Sequence, residues 1–297
     1  MLSLHTNAAA LSAQNSISRT QNSLSTSMTR LSTGYRINSA MDDAAGLQIA
    51  TRLKAQTSGM AVAMRNTQNS ISMMQTAEGA LDETTNILVR MKDLATQSAD
   101  GSSTDDDRTA MQSEYDALTM ELSNILSNTS FGGTTLLSTK ADSKFNAKVT
   151  FQIGSSKGET MDVDLTATGD SSLTDMHADI VAAATNYKSD GTATATAGSE
   201  IATSTAANTN IDTLKTAIDS VAKTRSALGA ASNRLDHVYN NLSNVSTNTK
   251  NATGRIMDVD FASESASMTS SQMLLQAGTA MLKQSNSQSS LVLSLLQ

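Results

Sequence analysis

The chain has 297 residues, a net charge of −7 and no Cys, Pro or Trp. Disulfides and thiolate metal sites are thereby excluded, and an acidic balance argues against general binding to nucleic-acid phosphates. Leu, Ile, Val and Phe together number 54, a thin supply for one compact core, so sixteen Met and many Ala must fill seams between helices.

The absence of Pro permits long, uninterrupted helices. Residues 4–33 read as the first, with Leu4, Leu11, Ile17, Leu24, Met28 and Leu31 on a narrow apolar stripe. Gly34 fits its C-terminal stop. Ser39-x-x-Asp42 has the form of a capping box that opens the next helix. There Leu53, Met60, Thr67, Met74, Leu81, Leu88 and Ala95 recur every seven residues, the spacing of a coiled-coil seam. A helix over 44–99 would be roughly 80 Å long. The polar run after Asp100 breaks it, and Met111, Tyr115, Leu118, Leu122 and Ile125 mark a shorter helix.

Phe131-Gly-Gly133 opens a different region. Apolar and polar residues alternate over 145–153 and 161–165 around the turn cluster at 154–158, which predicts a β-hairpin. Residues 166–210 are rich in Ala, Ser and Thr and read as a variable surface insert, expected as a loop or small helical cap facing solvent. Helix resumes with Leu214, Val221, Leu228, Leu235, Leu242, Thr249 and Ile256, a second seven-residue repeat. After Asp260 a last helix carries Met273, Leu274, Ala277, Met281, Leu282, Leu291 and Leu295. The fold class is therefore mainly α: a long-helix coiled-coil bundle formed by both termini, with a small β-hairpin region and a short variable insert. Sparsely apolar terminal helices need partners, either each other or neighbouring copies.

No residue set assembles an active site. His5, His177 and His237 are far apart in sequence, and the Asp175 and Asp179 flanking His177 do not share its helix face. Ser220-Val-Ala-Lys223 matches an acyl-enzyme form, but Val221 lies on the seam and no companion motif follows. Asp258 and Asp260 are read as helix-start residues rather than a metal pair. Eleven acids and three bases crowd residues 78–121, a run read as a solvated face. No catalytic residue, metal ligand or cofactor is expected. The first residues lack a basic n-region and apolar h-region, and the apolar tail at 291–296 is far short of a membrane span.

The run over residues 31–50, with Leu31-Ser-Thr-Gly34 and Asp42-Asp43-Ala-Ala-Gly46, resembles the N-terminal signature of bacterial flagellin. Gln75-Thr-Ala-Glu-Gly-Ala-Leu81 and residues 87–98 resemble its next helix. Residues 228–236, Asn240-Asn-Leu-Ser-Asn-Val245, Asp258-Val-Asp-Phe-Ala262, Gln276-Ala-Gly278 and Val292-Leu-Ser-Leu-Leu296 are similar to its C-terminal region. Two positions depart from the family pattern: Tyr35 stands where Leu is usual, and the stretch 285–290 lacks the Pro often found there.

The resemblance implies a secreted, extracellular subunit that leaves the cell by type III export and self-assembles as a helical homopolymer, the flagellar filament used for swimming. It implies an inner-tube coiled-coil domain from 1–42 with 258–297, an outer-tube domain from 43–165 with 211–257, and the insert at 166–210. Inner-tube assembly residues are then Ile17, Leu24, Leu31, Leu274, Met281 and Leu295. The outer-tube seam is Leu53, Met60, Leu81, Leu88, Leu228, Leu235 and Leu242. Implied partners are other copies of the chain, an export chaperone, cap and junction proteins, and a host Toll-like receptor, with Arg90, Leu94 and Glu114 at the positions the receptor contacts; neither nucleic acid nor membrane is implied. The alternative within the same resemblance is a hook–filament junction protein with flagellin-like termini, against which the complete Asp42–Gly46 and Gln276–Gly278 motifs weigh. A monomeric helical-bundle adhesin or enzyme is the alternative of a different class.

Overall fold

The computed structural model describes residues 7–166, 172–190, 192–193 and 197–295, with side chains through residue 287. Leu4, on the expected first stripe, lies outside these.

Helix α1 spans Ala8–Thr33. Asn7 caps it, its side-chain oxygen accepting the Ala10 N–H at 3.1 Å. Gly34 ends it in the left-handed conformation, φ 76°, with its N–H bonded to Arg30 O, a conformation that costs glycine little. The chain then crosses to the far end of the sequence: Arg36 N–H reaches Met257 O at 2.6 Å and Val259 N–H reaches Gly34 O at 3.0 Å. The Arg36 guanidinium adds a bond to Ile256 O.

Helix α2 spans Ala44–Ala99, but its cap differs from the expected box. Asp42 closes a turn on itself, accepting from the N–H groups of Ser39 and Asn38 and from the Ser39 hydroxyl. Those bonds hold its carboxyl below the usual carboxylate range. The cap is the next acid, Asp43, whose Oδ1 accepts the Gly46 N–H at 2.8 Å.

Helix α3, Asp105–Asn128, begins with a capping box between Thr104 and Asp107. Its Arg108 is buried and donates to the carbonyls of Ser98, Asp100 and Ser103, satisfying the end of α2. Strands β1, Ser130–Phe131, and β2, Thr134–Thr135, form a tight hairpin through Gly132 and Gly133, both at positive φ. Strands β3, Val149–Gln152, and β4, Thr160–Val163, form the second hairpin, in antiparallel register from Val149↔Val163 to Gln152↔Thr160. Helix α4 is Leu173–Ala183, α5 is Ser204–Met257 and α6 is Phe261–Leu295. Asp260 starts α6, accepting the N–H groups of Ala262 and Ser263.

The chain forms two compact units, one from Met1–Ser58 with Ser246–Gln297 and one from Gly59–Val245. The divisions fall inside α2 and α5. In the second unit both seven-residue repeats point into the core: Met60, Thr67, Met74, Leu81, Leu88 and Ala95 on α2, and Leu214, Val221, Leu228, Leu235 and Leu242 on α5, are all buried.

The segment expected to be a surface insert contributes to that core instead. Leu173, Met176, Ile180, Ala183, Ala184, Tyr187, Ile201 and Ala207 are buried and belong to the same cluster as the seam residues. Polar bonds fix the segment as well: Tyr115 donates its hydroxyl to Ala183 O at 2.8 Å while accepting from the Asn210 amide, and Ser98 bonds to Ile201 O. The burial follows from Leu173, Met176 and Ile180, which supply a helical apolar stripe that the surrounding Ala and Thr dilute in composition.

Candidate assembly surface

The first unit is a pair of antiparallel helices. Asn7 donates to Ser285 at 3.2 Å, Ile17 lies against Gly278, and Arg30 meets Glu264 at 3.6 Å. On α6 the side toward α1 is lined by Glu264, Ser271, Gly278 and Ser285, seven residues apart, with half-buried Leu275 and Leu282 between. On α1 the matching side carries Ile17, Leu24 and Leu31, all half-buried, and the buried Ser27. Ser27, Ser271, Gly278 and Ser285 are small, so the backbones approach closely. A Cβ built on Gly278 would stand 2.9 Å from Ile17 Cγ1.

Leu274 and Met281 are not in this seam. They are 58% and 66% exposed, because each sits one residue, hence about 100°, from the seam positions Leu275 and Leu282. With Met273 they leave α6 with an apolar side open to solvent. Helix α1 does the same with Leu11 and Met28, and Met28 borders a shallow groove with Leu24, Ser25 and Ser32. The Leu295 side chain lies outside the described residues. Among the outer-seam residues, Leu53 is half-buried in the first unit, whereas Met60, Leu81, Leu88, Leu228, Leu235 and Leu242 are buried in the second.

The three residues assigned to receptor contact separate into two environments. Arg90 and Glu114 meet in an exposed ion pair, with Nη2 2.7 Å and Nε 2.9 Å from Glu114 Oε1. Leu94 is only 2% exposed and belongs to the core, so it cannot join them on that surface. Arg90 and Leu94 are four apart, but the helix side they share is wide enough for one to point outward and the other inward.

A polar centre that the sequence gave no reason to suspect lies under the second unit's surface. His177 is buried, with Nε2 2.7 Å from Leu137 O and Nδ1 2.6 Å from the Tyr187 hydroxyl. The carbonyl can only accept, so Nε2 carries the proton and Nδ1 accepts from Tyr187. Burial holds the imidazole pKa down to about 4 and pushes the Tyr187 phenol up. Ser220 bonds to Asp179, a structural contact between α5 and α4. Among the described residues no group of His, Asp and Glu could hold a metal ion, and no helix is long and apolar enough to cross a membrane.

Residues 4–142 match the family model for the bacterial flagellin N-terminal helical region, and residues 211–296 match that for the C-terminal helical region. The chain belongs to the bacterial flagellin family. It is 40% identical to a flagellin of Halalkalibacterium halodurans, over 91% of this chain and 90% of that protein. It is 35% identical to flagellin C of Vibrio cholerae, over 99% of both. The crystal structure of Bacillus cereus flagellin aligns with 60% of this chain and 88% of its own at 30% identity, with a TM-score of 0.45. Flagellins are structural proteins and not enzymes. The matched regions include both sides of the α1/α6 pair; the stretch between them, 143–210, holds the second hairpin, α4, and the His177 and Tyr187 of the polar centre.

Proposed function

We propose that this flagellin polymerises with copies of itself into the extracellular filament of the bacterial flagellum, for swimming. The observation that carries the reading is the unsatisfied apolar side of the α1/α6 pair: Leu11, Met28, Met273, Leu274 and Met281 stand in water. A second copy would cover them, and a head-to-tail contact that does not close gives a filament rather than a ring. In this reading residues 1–42 and 258–297 form the inner tube, and 43–165 with 211–257 the outer one. Export through the flagellar type III apparatus, with a chaperone, and contact with cap and junction proteins belong to the same reading. Chain heated to monomer and cooled with filament fragments should sediment as long polymer, and Met281→Asp should stay soluble while melting as wild type does. Normal polymer from Met281→Asp would refute the placement.

Sensing of the monomer by a host Toll-like receptor is supported by the exposed Arg90–Glu114 pair. In reporter cells Arg90→Ala monomer should lose signal. Leu94→Ala should lower the protein's own thermal stability, because Leu94 acts from the core. Undiminished signal from Arg90→Ala would remove this reading.

A further inference from the structure

The sulfur of this chain is all thioether: sixteen Met and no Cys. Its distribution is uneven. Met60, Met73, Met74, Met91, Met111, Met161 and Met176 are buried in the second unit. In the first unit Met28, Met273 and Met281 are 58%, 61% and 66% exposed. Met273, Ala277 and Met281 lie at i, i+4 and i+8 on the open side of α6, with Leu274 beside them, and all are exposed. On α1, Met28 is exposed at the edge of the shallow groove. Apart from Met41, 96% exposed in the turn before α2, the methionines most open to solvent there lie on the α1/α6 pair, where in the polymerisation reading a second copy would cover them.

We propose that Met28, Met273 and Met281 are oxidation sites that control whether a monomer can join the polymer. The inference rests on the polymerisation reading above. The reactant is a two-electron oxygen donor of the hydroperoxide class. The thioether sulfur attacks the terminal peroxide oxygen, the O–O bond breaks and a sulfur–oxygen bond forms; the other oxygen leaves, takes up the proton that the attacked oxygen sheds, and becomes water from hydrogen peroxide or an alcohol from an organic hydroperoxide. Sulfur loses two electrons and the peroxide gains them. The product is a sulfoxide, which turns a flexible apolar side chain into a polar one. A sulfoxide buried against a neighbouring copy brings in a strong acceptor without a donor, which disfavours the contact. No Cys in the chain can take the oxidant first. Incorporation into polymer covers the three sulfurs, so oxidation acts on the subunit in transit and spares the finished filament. Reduction by methionine sulfoxide reductases of both epimer specificities reverses it.

The test treats purified monomer with hydrogen peroxide, removes the peroxide, maps sulfoxides by peptide mass and measures seeded growth by sedimentation. Met41, 96% exposed in the turn before α2, reports the oxidant dose. Wild type should gain oxygen at Met28, Met273 and Met281 and raise the concentration needed for growth about ten-fold, the effect of one poorly accommodated polar group at a contact. The two reductases together should restore growth. A variant carrying Met28→Leu, Met273→Leu and Met281→Leu should grow equally before and after peroxide although its Met41 is oxidised. Polymer treated in the same way should keep the three residues reduced. Equal loss of growth in the triple variant, or no recovery of wild type after its three sulfoxides have been reduced, would overturn the proposal and leave polymerisation standing. Failure of untreated wild type to grow would instead overturn the polymerisation reading, and this proposal with it. The reductase arm uses wild type alone, so it decides even if the triple variant folds poorly.

Discussion

His177 shows what single residues can hide. By sequence it was weighed only as a metal ligand, since its acidic neighbours are two positions away on either side. Its partners, Leu137 and Tyr187, are 40 and 10 residues distant, and nothing in local spacing announces them. Tyr187→Phe would leave Nδ1 buried without a donor, which should cost about 1–3 kcal/mol in urea denaturation. The pH dependence has a definite sign. The folded imidazole binds its proton only near pH 4, while the unfolded one binds near its ordinary value of 6.5. The unfolded state therefore takes up the proton first, so stability is complete above about 6.5 and falls as pH drops toward 4. The loss amounts to about 3 kcal/mol at most. His177→Phe should flatten that limb of the stability–pH curve; an unchanged limb would mean that His177 is not its source. The Arg90–Glu114 pair is exposed, so a double-mutant cycle on stability should return less than about 1 kcal/mol.

At the scale of elements, the long helices were legible because seven-residue periodicity survives a sequence poor in bulky residues: every α2 repeat position from Met60 to Ala95 is buried. Register was less legible on α6. Leu274-Leu275 and Met281-Leu282 are adjacent apolar pairs, and periodicity alone does not say which member turns toward α1. The structure selects Leu275 and Leu282 because they flank Ser271, Gly278 and Ser285, whose small side chains allow close approach. Gly278→Val should therefore push α1 and α6 apart, since its Cβ would press on Ile17. Limited proteolysis should trim both ends faster in this variant, and Ile17→Ala should restore resistance. The burial of helix α4 was not legible because Ala and Thr dominate the composition around it. Its Ile180 is fully buried, and Ile180→Ala should cost about 2–5 kcal/mol. A stability equal to wild type would return the segment to the status of a solvated insert.

At the scale of the whole molecule, the two units differ in how fully they satisfy themselves. The second buries most of both repeats with α4 and the β-hairpin region in one core, and Met60, Ala63 and Leu242 in a smaller cluster. The first pairs two helices and leaves large apolar side chains in water, an arrangement that folding of one chain does not resolve and polymerisation would. The most direct test is a helical reconstruction of filaments grown from this chain alone. Met28, Met273, Leu274 and Met281 should lie against a neighbouring copy, with the second unit's core unchanged. A filament in which those side chains face solvent or an open lumen would contradict the account.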